Sequence, residues 1–575
     1  MTISAKARTQ SPEADSLRMG CGWGRTDTDK YWILVETTQG DSHPGSIHLG
    51  ELSEFVDKGI ISVGGSPSHY TCTDICDGIA QGTEGQSYSL PSREIMTMAC
   101  EMHASAGHHD GIVFLSGCDK SLPAHLIASL RLNRPAIVVP GGVMEAGPEG
   151  FTLEGVGTIY AQKRRGEISE EDYEFLRGSA CPSAGSCAFF GTAATMQLLS
   201  EAMGLAMPST ALIPAHLNAL KDSARQAGKR IVELIEENLT PRQIFTQKAL
   251  ENALVVHAAC GGSTNALIHL AAMAREAGLD FSYERVNAIN AETPFILNLK
   301  PSGKFTSDKI WYAGGVYRIL KELKNYLHLD AMTVTGLTLG ENLTILEKTG
   351  HFMQMPRFLS NYGGTVDDII APIETPLRYH GGVRVLFGNI APDGAVIKIS
   401  ALDADIQQMT CTARVFDAQQ DALESILSGQ IKPGDAVVIR YEGPAGSGMP
   451  EQFYVTEAIA SNPMLSRTTM LITDGRFSGA TRGPAIGHVA PEAARGGPIA
   501  LVQEGDLIHV DLLQNAVNII GESGVALASS EVAELLEARR QHWQRPRPKY
   551  QTGLLAMYTQ CALPAHQGGG IASVI

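Results

Sequence analysis

Residues 109–140 read HDGIVFLSGCDKSLPAHLIASLRLNRPAIVVP, and this stretch decides the fold class of the chain. The apolar run 112–115 predicts a buried strand, and the segment 116–120 predicts a loop. A helix is predicted from 121 to about 132, and a second strand at 134–140. The order strand, loop, helix, strand is typical of a parallel, doubly wound α/β sheet.

The pattern of apolar residues, glycine and proline changes at about residue 380. Before it, apolar periodicity predicts further helices at 188–203, 216–239, 246–259, 264–277 and 315–327. After it, short β-rich runs alternate with glycine and proline, which predicts a compact, barrel-like β domain. We therefore divide the chain into an N-terminal arm (1–30), a doubly wound α/β domain (31–378) and a β-rich domain (379–575).

Composition excludes several classes of protein. The chain has 575 residues, 44% of them hydrophobic, which excludes a mainly disordered protein. Its net charge of −16 argues against nucleic acid or an anionic membrane as the main partner. The start of the sequence has no secretory pattern, and no apolar run reaches about 18 residues. We therefore expect a cytoplasmic protein whose ten cysteines are reduced.

Two Cys-Asp dipeptides are the first candidates for chemistry. Cys76-Asp77 and Cys118-Asp119 each place a thiol beside a carboxylate in a glycine-containing segment. Thiolate is a soft ligand that suits iron–sulfur clusters or zinc, whereas carboxylate suits Mg²⁺ or Mn²⁺. Two such pairs can build two adjacent metal sites of different character. The alternative is that the cysteines are small core residues and the aspartates cap helices.

A third cysteine segment favours the metal interpretation. Cys181 and Cys187 are separated by five residues, and Cys187 lies near the start of a predicted apolar helix. The first ligands of zinc sites are usually two to four residues apart, so this spacing favours an iron–sulfur cluster with one open iron over zinc. The alternative is a proline–glycine turn in which the cysteines are incidental.

Three loops offer further polar groups. The glycine-rich segment 442–451 ends in Glu451, a candidate ligand for a hard metal ion. Residues 473–479, TDGRFSG, expose Ser478 after a predicted strand, but a G-x-S-x-G nucleophile elbow requires glycine where this chain has Arg476. For GGSTN, 261–265, we favour a helix cap over catalysis. Neither a Walker loop nor a Rossmann fingerprint is present in the sequence.

With these segments in this order, the chain resembles the dihydroxyacid and 6-phosphogluconate dehydratase superfamily, which includes sugar-acid (aldonate) dehydratases. The resemblance covers roughly residues 30 to 560. It rests on eight ordered segments: CDGIAQG at 76–82, SLPSRE at 89–94, GCDKSLPA at 117–124, 181–187, GGSTN at 261–265, GNIAPDGAVIK at 388–398, GSGMPE at 446–451 and TDGRFSG at 473–479.

The resemblance implies a reaction and a set of roles. A 2,3-dihydroxy acid loses water and becomes a 2-keto-3-deoxy acid, with an iron–sulfur cluster acting as Lewis acid on the 3-hydroxyl. Mg²⁺ holds the carboxylate and the 2-hydroxyl, and Ser478 is the base that removes the C2 proton. The implied cluster ligands include Cys118 and Cys187. The implied Mg²⁺ ligands are Asp77, Asp119, Glu451 and a carbamylated Lys120.

One departure concerns the third cluster ligand. Many members carry a Pro-Cys-Asn motif where this chain has Pro44-Gly45-Ser46. We therefore assign Cys76 as the third ligand, with Cys181 in reserve, and favour a 4Fe-4S over a 2Fe-2S cluster by similarity to members with Cys-Asp-Gly. Ala480 stands where some sugar-acid members have threonine, so Thr481 is a candidate substrate contact.

Three functions are carried forward. The similarity at Cys76 leads us to predict an aldonate dehydratase acting on a substrate such as gluconate or xylonate. The alternative is a dihydroxyacid dehydratase of branched-chain amino-acid biosynthesis. An alternative of another class is a non-catalytic iron–sulfur sensor, which would not need Ser478, Lys120 and Glu451 together. The resemblance also implies a homodimer or homotetramer, and the low charged fraction of 18% agrees with this.

Overall fold

The computed structural model describes residues 2–403, 405–479 and 481–572. Within these ranges the strands form a four-stranded and a nine-stranded sheet. The strands of the first sheet are β1 (Trp32–Thr37), β2 (Ser66–Thr71), β3 (Gly111–Ser116) and β4 (Ala136–Pro140). Those of the second are β5 (Arg384–Leu386), β6 (Gly394–Ile397), β7 (Gln408–Phe416), β8 (Asp435–Ile439), β9 (Met470–Thr473), β10 (Ala485–Ala490), β11 (Leu507–Asp511), β12 (Ala516–Glu522) and β13 (Val525–Ala526).

The first sheet is parallel and doubly wound. Its strand order is β2-β1-β3-β4, and strands β1, β3 and β4 are buried along their whole length. Such continuous apolar runs are expected where helices cover both faces of a parallel sheet. The chain moves outward from β1 to β2 and then crosses back to β3, so the winding reverses between β1 and β3. The loops at the carboxyl ends of these two strands are therefore the expected position of a ligand site.

Helices surround both sheets. In the N-terminal part they are Ile3–Gln10, Glu13–Gly20, Arg25–Thr28, Leu49–Ser62, Asp77–Ala80, Ser89–Ala106, Ser121–Leu132, Glu154–Arg164, Glu170–Ser179, Thr192–Ala202, Asn218–Glu237, Pro241–Ile244, Gln247–Cys260, Asn265–Ala277, Tyr283–Glu292, Asp308–Tyr312, Val316–Glu322, Leu339–Lys348, His351–Gln354 and Val366–Ile369. In the C-terminal part they are Gln419–Leu427, Pro444–Ser447, Phe453–Ala460, Ser529–His542 and Gly553–Cys561. None of the helices in the described ranges has the length and apolarity needed to cross a membrane.

The second sheet is mixed and curled. Its order is β13-β12-β11-β7-β8-β9-β10-β6-β5, with parallel pairing from β7 to β10 and antiparallel pairing on both sides. The end of β5 reaches the start of β12, because Phe387 pairs with Ala516 and its N–H donates to the carbonyl of Asn515 at 2.8 Å. Strands β8 and β9 are parallel neighbours, so the loops that follow them leave the sheet at the same edge.

The predicted fold class is confirmed: an N-terminal doubly wound α/β part precedes a barrel-like β-rich part. The predicted helix 121–132 and the strands on either side of it are present. The helix predicted at 188–203 begins later, at Thr192. Residues before it turn toward the interior instead, where Gly191 lies so close to Gly479 that a Cβ on Gly479 would be 2.7 Å from the Gly191 Cα.

Candidate active site

Three cysteines from separate segments face one cavity. Cys76 precedes the helix Asp77–Ala80, Cys118 lies in the loop after β3, and Cys187 precedes the helix Thr192–Ala202. All three line an open cavity that Ser478 also lines.

Burial disfavours the thiolate forms of all three cysteines. Burial, with smaller contributions from nearby carboxylates, raises the pKa of Cys76 to about 11. Burial also raises the pKa values of Cys118 and Cys187 well above the ordinary range. Such thiols keep their protons unless a metal ion displaces them. Three cysteines around one cavity fit a cluster with three protein ligands and one open iron.

The geometry distinguishes Cys76 from the reserve residue Cys181. Cys181 is exposed and is not one of the described residues that line the cavity. Gly45 marks the position where many relatives are expected to carry cysteine, and a Cβ built there would lie 2.9 Å from the Sγ atom of Cys118. The segment at Gly45 therefore reaches the cysteine site but contributes no sulfur to it.

Three carboxylates form a group beside the cysteines. Each of these residues has one carboxylate oxygen that lies within 4.8 Å of the corresponding oxygens of the other two. The three residues are Asp77, Asp119 and Glu451. Asp77 and Asp119 come from the α/β part, whereas Glu451 comes from the loop after β8. Oxygen ligands converging in this way fit Mg²⁺, which prefers carboxylates and water.

Two cations neutralise part of this acidic group. The Lys120 Nζ atom, which is fully buried, lies 2.8 Å from Asp77 Oδ2 and 4.0 Å from Asp119 Oδ2. The Arg476 guanidinium lies 2.7 Å from Glu451 Oε1 and 3.3 Å from Asp77 Oδ2. When all three carboxylates are ionised, the two cations leave one excess negative charge, which a divalent cation would reverse.

The carboxylates differ in acidity. Burial, together with neighbouring Asp77 and Asp119, raises the pKa of Glu451 to about 7, although Arg476 opposes the effect. Burial likewise raises the pKa of Asp119. Burial also acts to raise the pKa of Asp77, but Lys120, Arg476 and hydrogen bonds outweigh it and lower that pKa. Without a metal ion, Asp77 is therefore the strongest acid of the three.

Two residues of this site are not predicted as functional from the sequence. In the sequence, Arg476 is notable only because it replaces the glycine that a nucleophile elbow requires. In the structure, its guanidinium forms ion pairs with both Asp77 and Glu451. Asn265 belongs to the segment interpreted as a helix cap, yet its side-chain N–H donates to Glu451 Oε1 at 2.8 Å. The sequence does contain a signal for this role. Helix capping accounts for the serine and threonine of GGSTN, but it gives no reason for the asparagine that follows them.

The segment after β9 positions Ser478 at the cavity. The Lys398 Nζ atom donates to the carbonyl of Gly479 at 3.3 Å, and burial lowers the pKa of Lys398 to about 8. Thr481 is buried, its hydroxyl contacts the Thr456 hydroxyl at 3.5 Å, and it is not one of the described cavity-lining residues. The proposed substrate contact at Thr481 therefore has no cavity exposure. Ala480, on which that expectation depends, lies outside the described residues.

One wall of the cavity is apolar. It comprises the side chains of Leu153, Val156, Phe189, Phe453 and the ring of Tyr454. Gly78 and Gly157 complete this wall without a side chain, while Gln81 and Glu154 add polar groups. Thiols, carboxylates and apolar side chains therefore line the same cavity.

We expect Arg476→Met to destabilise the protein in the absence of divalent cations. The substitution leaves Asp77 and Glu451 buried without their shared cation, at a cost of about 3–5 kcal/mol. Urea unfolding in EDTA measures this loss. The control is Arg467→Met, since Arg467 is 52% exposed and pairs with exposed aspartates. That control should lose less than about 1 kcal/mol. Equal losses in both variants would contradict the structural role of Arg476.

Two family models and several known proteins match this chain. The model of the family described as "Dihydroxy-acid/6-phosphogluconate dehydratase N-terminal" matches residues 30–342, and its C-terminal counterpart matches 368–569. A protein of Syntrophobacter fumaroxidans is 43% identical over 563 residues, covering 96% of each chain. One from Methanosarcina barkeri is 43% identical over 558 residues, covering 95% of this chain and 96% of its own. One from Caldanaerobacter subterraneus subsp. tengcongensis is 42% identical over 534 residues, covering 92% and 91%.

These relatives correct the predicted substrate. All three are named dihydroxy-acid dehydratase, which matches the alternative and not the aldonate dehydratase. The prediction of a sugar-acid substrate was wrong because it rested on Cys76. That residue lies among the cysteines and carboxylates, and it carries no information on the part of a substrate that faces the apolar wall.

Proposed function

This chain belongs to the dihydroxy-acid/6-phosphogluconate dehydratase family, and from that premise we propose that it dehydrates a 2,3-dihydroxy acid with a branched, apolar chain. Family membership makes it a hydro-lyase, so the non-catalytic sensor has no support. Its substrate is a small molecule, and 2,3-dihydroxyisovalerate is the test compound that carries the required alkyl group. The product is the corresponding 2-keto acid.

The apolar wall is the observation that carries the choice of substrate. Leu153, Val156 and Phe453 offer contact area to methyl groups, and burial of each methyl-sized group is worth about 0.8 kcal/mol. A sugar acid would place several hydroxyls against the same side chains, where most would lose their hydrogen bonds to water. The cavity therefore favours an alkyl chain over a polyol chain.

Enzymes of this family use an iron–sulfur cluster and Mg²⁺. We assign the cluster to Cys76, Cys118 and Cys187, and we favour the 4Fe-4S form with one iron open to the substrate. We assign Mg²⁺ to Asp77, Asp119 and Glu451. When bound, the cluster would supply a Lewis acid for the C3 hydroxyl, and Mg²⁺ would balance charge on the C1 carboxylate and the C2 oxygen.

Lys120 is proposed as a further Mg²⁺ ligand in its carbamylated form. Its side chain is buried and directed at Asp77 and Asp119, so the modification would replace a cation by an anion among the metal ligands. Arg476 and Asn265 then act as positioning residues, because both hold the same oxygen of Glu451.

Ser478 is proposed to remove the proton from C2 of the substrate. Ser478 lines the cavity that the thiols and carboxylates share, which supports this assignment. A serine of ordinary pKa is a weak base, and a nearby cation must favour its ionised form. The C3–O bond breaks as the C2=C3 bond forms, and the hydroxyl leaves with one proton as water. The resulting enol then transfers its hydroxyl proton to C3 and becomes the 2-keto acid.

Product analysis tests the proposed function. Anaerobically purified enzyme is incubated with Mg²⁺ and, separately, 2,3-dihydroxyisovalerate, gluconate or xylonate, and the 2-keto acids are quantified. We expect turnover of the branched substrate at a kcat/KM at least about tenfold above that of either sugar acid, the effect of one to two buried methyl groups. Turnover of the sugar acids alone would contradict the proposal. The oligomeric state is proposed to be a homodimer or homotetramer.

A further inference from the structure

A buried lysine lies behind the loop that carries Ser478. Lys398 directly follows β6, which runs antiparallel to β10, with Ile397 paired with Ile486. The end of β6 therefore lies beside the loop that leads from β9 to β10 and contains the serine. The Lys398 Nζ atom donates to the carbonyl of Gly479, the residue after Ser478, at 3.3 Å. Lys398 is not one of the described residues that line the cavity, so its ammonium reaches the loop from the protein side.

The ammonium of Lys398 has no acidic counter-ion in the described part of the chain. The residue is only 4% exposed. Burial lowers its pKa to about 8, and no carboxylate of the described residues opposes this shift. At pH 7 the lysine therefore remains mostly protonated. The nearby His257 is neutral at this pH, because burial, with a smaller contribution from Lys398, lowers its pKa to about 4.

A buried charge without a counter-ion is costly for the folded state. Replacement of such a charge by an apolar side chain of similar volume is often neutral or stabilising. A charge that is kept at a cost to stability is therefore a candidate for a functional role. Lys398 carries its charge next to the residue that follows the proposed base, which indicates where that role lies.

We propose that the buried charge of Lys398 favours the ionised form of Ser478 and so prepares the serine to act as a base. The inference rests on the proposed function, in which Ser478 takes the proton from C2. A cation in a buried environment stabilises a nearby alkoxide more strongly than it would in water. Ser478 loses its proton to solvent before the reaction and regains one from C2, whereas the lysine keeps its own proton throughout. Lys398 is a positioning residue, since it acts through the serine.

The first experiment separates the charge of Lys398 from its hydrogen bond. Lys398→Met removes both, whereas Lys398→Gln keeps an N–H donor near the Gly479 carbonyl. At pH 7, both variants of the anaerobic enzyme should lower kcat for 2,3-dihydroxyisovalerate about 10²-fold, the size of the loss of one preorganised electrostatic group. KM and the iron, sulfide and Mg²⁺ contents should not change. A Lys398→Gln variant with wild-type kcat overturns the proposal, because the hydrogen bond alone would then be sufficient.

The isotope effect at C2 identifies the step that is slowed. With substrate deuterated at C2, the isotope effect on kcat in Lys398→Met should be at least as large as in the wild type, because proton removal becomes slower. An isotope effect that falls toward unity means that another step is slowed, and it overturns the proposal.

Arg378→Met is the matched control for disturbance of the main chain near Lys398. The half-buried Arg378 donates to the carbonyls of Ile399 and Leu402 at 2.9 and 2.7 Å, in the segment that directly follows the lysine. This variant also removes a cation from the segment, yet its kcat should remain close to that of the wild type. A loss equal to that in Lys398→Met overturns the proposal.

Urea unfolding of the metal-free proteins gives a test that does not depend on activity. Lys398→Met should be at least as stable as the wild type, since it removes a buried charge without a counter-ion. A marked loss of stability, or failure to fold, shows that the ammonium supports the fold and overturns the proposal.

A double variant distinguishes failure of this inference from failure of the proposed function. In single turnovers with enzyme in excess, Ser478→Ala combined with Lys398→Met should react as slowly as Ser478→Ala alone, because the lysine acts through the serine. A further loss of the full Lys398→Met effect overturns this inference and leaves the base in place. Wild-type kcat in Ser478→Ala overturns the proposed base and this inference together. If the wild type turns over only sugar acids, the proposed substrate fails, and the same variants are measured with the sugar acid.

Discussion

Replacement of Ser478 by alanine is expected to lower kcat for dehydration of 2,3-dihydroxyisovalerate by about 10²- to 10⁴-fold, the contribution of a positioned acid–base group. The variant removes one oxygen from the cavity wall and leaves the thiols and carboxylates in place. We therefore expect unchanged iron, sulfide and Mg²⁺ contents and a nearly unchanged KM. Steady-state kinetics on the anaerobic enzyme, with metal analysis of the same preparation, measures the effect.

Two other cavity residues serve as controls for this prediction. Glu154 and Tyr454 also line the cavity and carry groups that can exchange protons. Burial raises the pKa of Glu154, which makes it a stronger base than an ordinary carboxylate once ionised. Glu154→Gln and Tyr454→Phe should each lower kcat far less than Ser478→Ala. A loss in Glu154→Gln that exceeds the loss in Ser478→Ala would identify the carboxylate as the base and contradict our assignment.

The sequence predicts those helices and strands whose formation depends on their own residues. The run at 112–115 and the helix after it report on continuous burial, and they are confirmed as β3 and Ser121–Leu132. The start of the helix at Thr192 is not set locally. Its preceding residues turn inward because Phe189 faces the cavity and Gly191 packs on Gly479, a contact between segments nearly 300 residues apart in sequence.

The sequence predicts those parts of the candidate site in which two candidate ligands are neighbours in the chain. Cys76-Asp77 and Cys118-Asp119 are visible as dipeptides, so the sequence is sufficient to single out both pairs. The sequence does not predict a role for Arg476 in the site, because its partner Asp77 is 399 residues away in the chain.

The substrate was missed for a different reason. The residues that we propose as metal ligands would contact only the carboxylate and the two hydroxyls that all candidate substrates share. In our proposal, selection between an alkyl chain and a polyol chain depends on side chains such as Leu153 and Phe453, which come from two distant helical regions. Apolar residues in helices have a common structural explanation in the core, so the sequence alone does not separate the wall of the cavity from ordinary packing.

Removal of the Cys76 sulfur is expected to abolish cluster binding. Cys76→Ala leaves Cys118 and Cys187 as the two remaining sulfurs at the cavity, and a cluster with three protein ligands loses one of them. We expect iron and sulfide contents near zero after anaerobic reconstitution, no visible cluster absorption and no dehydratase activity. Urea unfolding of the metal-free protein should change little, which shows that the loss is not a failure to fold.

Cys181→Ala is the matched control, because Cys181 precedes the same helix as Cys187 but is exposed and outside the described lining of the cavity. It should retain full iron and sulfide content. The opposite pattern, with the cluster kept in Cys76→Ala and lost in Cys181→Ala, would mean that the segment 181–187 supplies two sulfurs. The loop before Asp77 would then serve Mg²⁺ alone, and the raised pKa of the Cys76 thiol would reflect burial without metal binding.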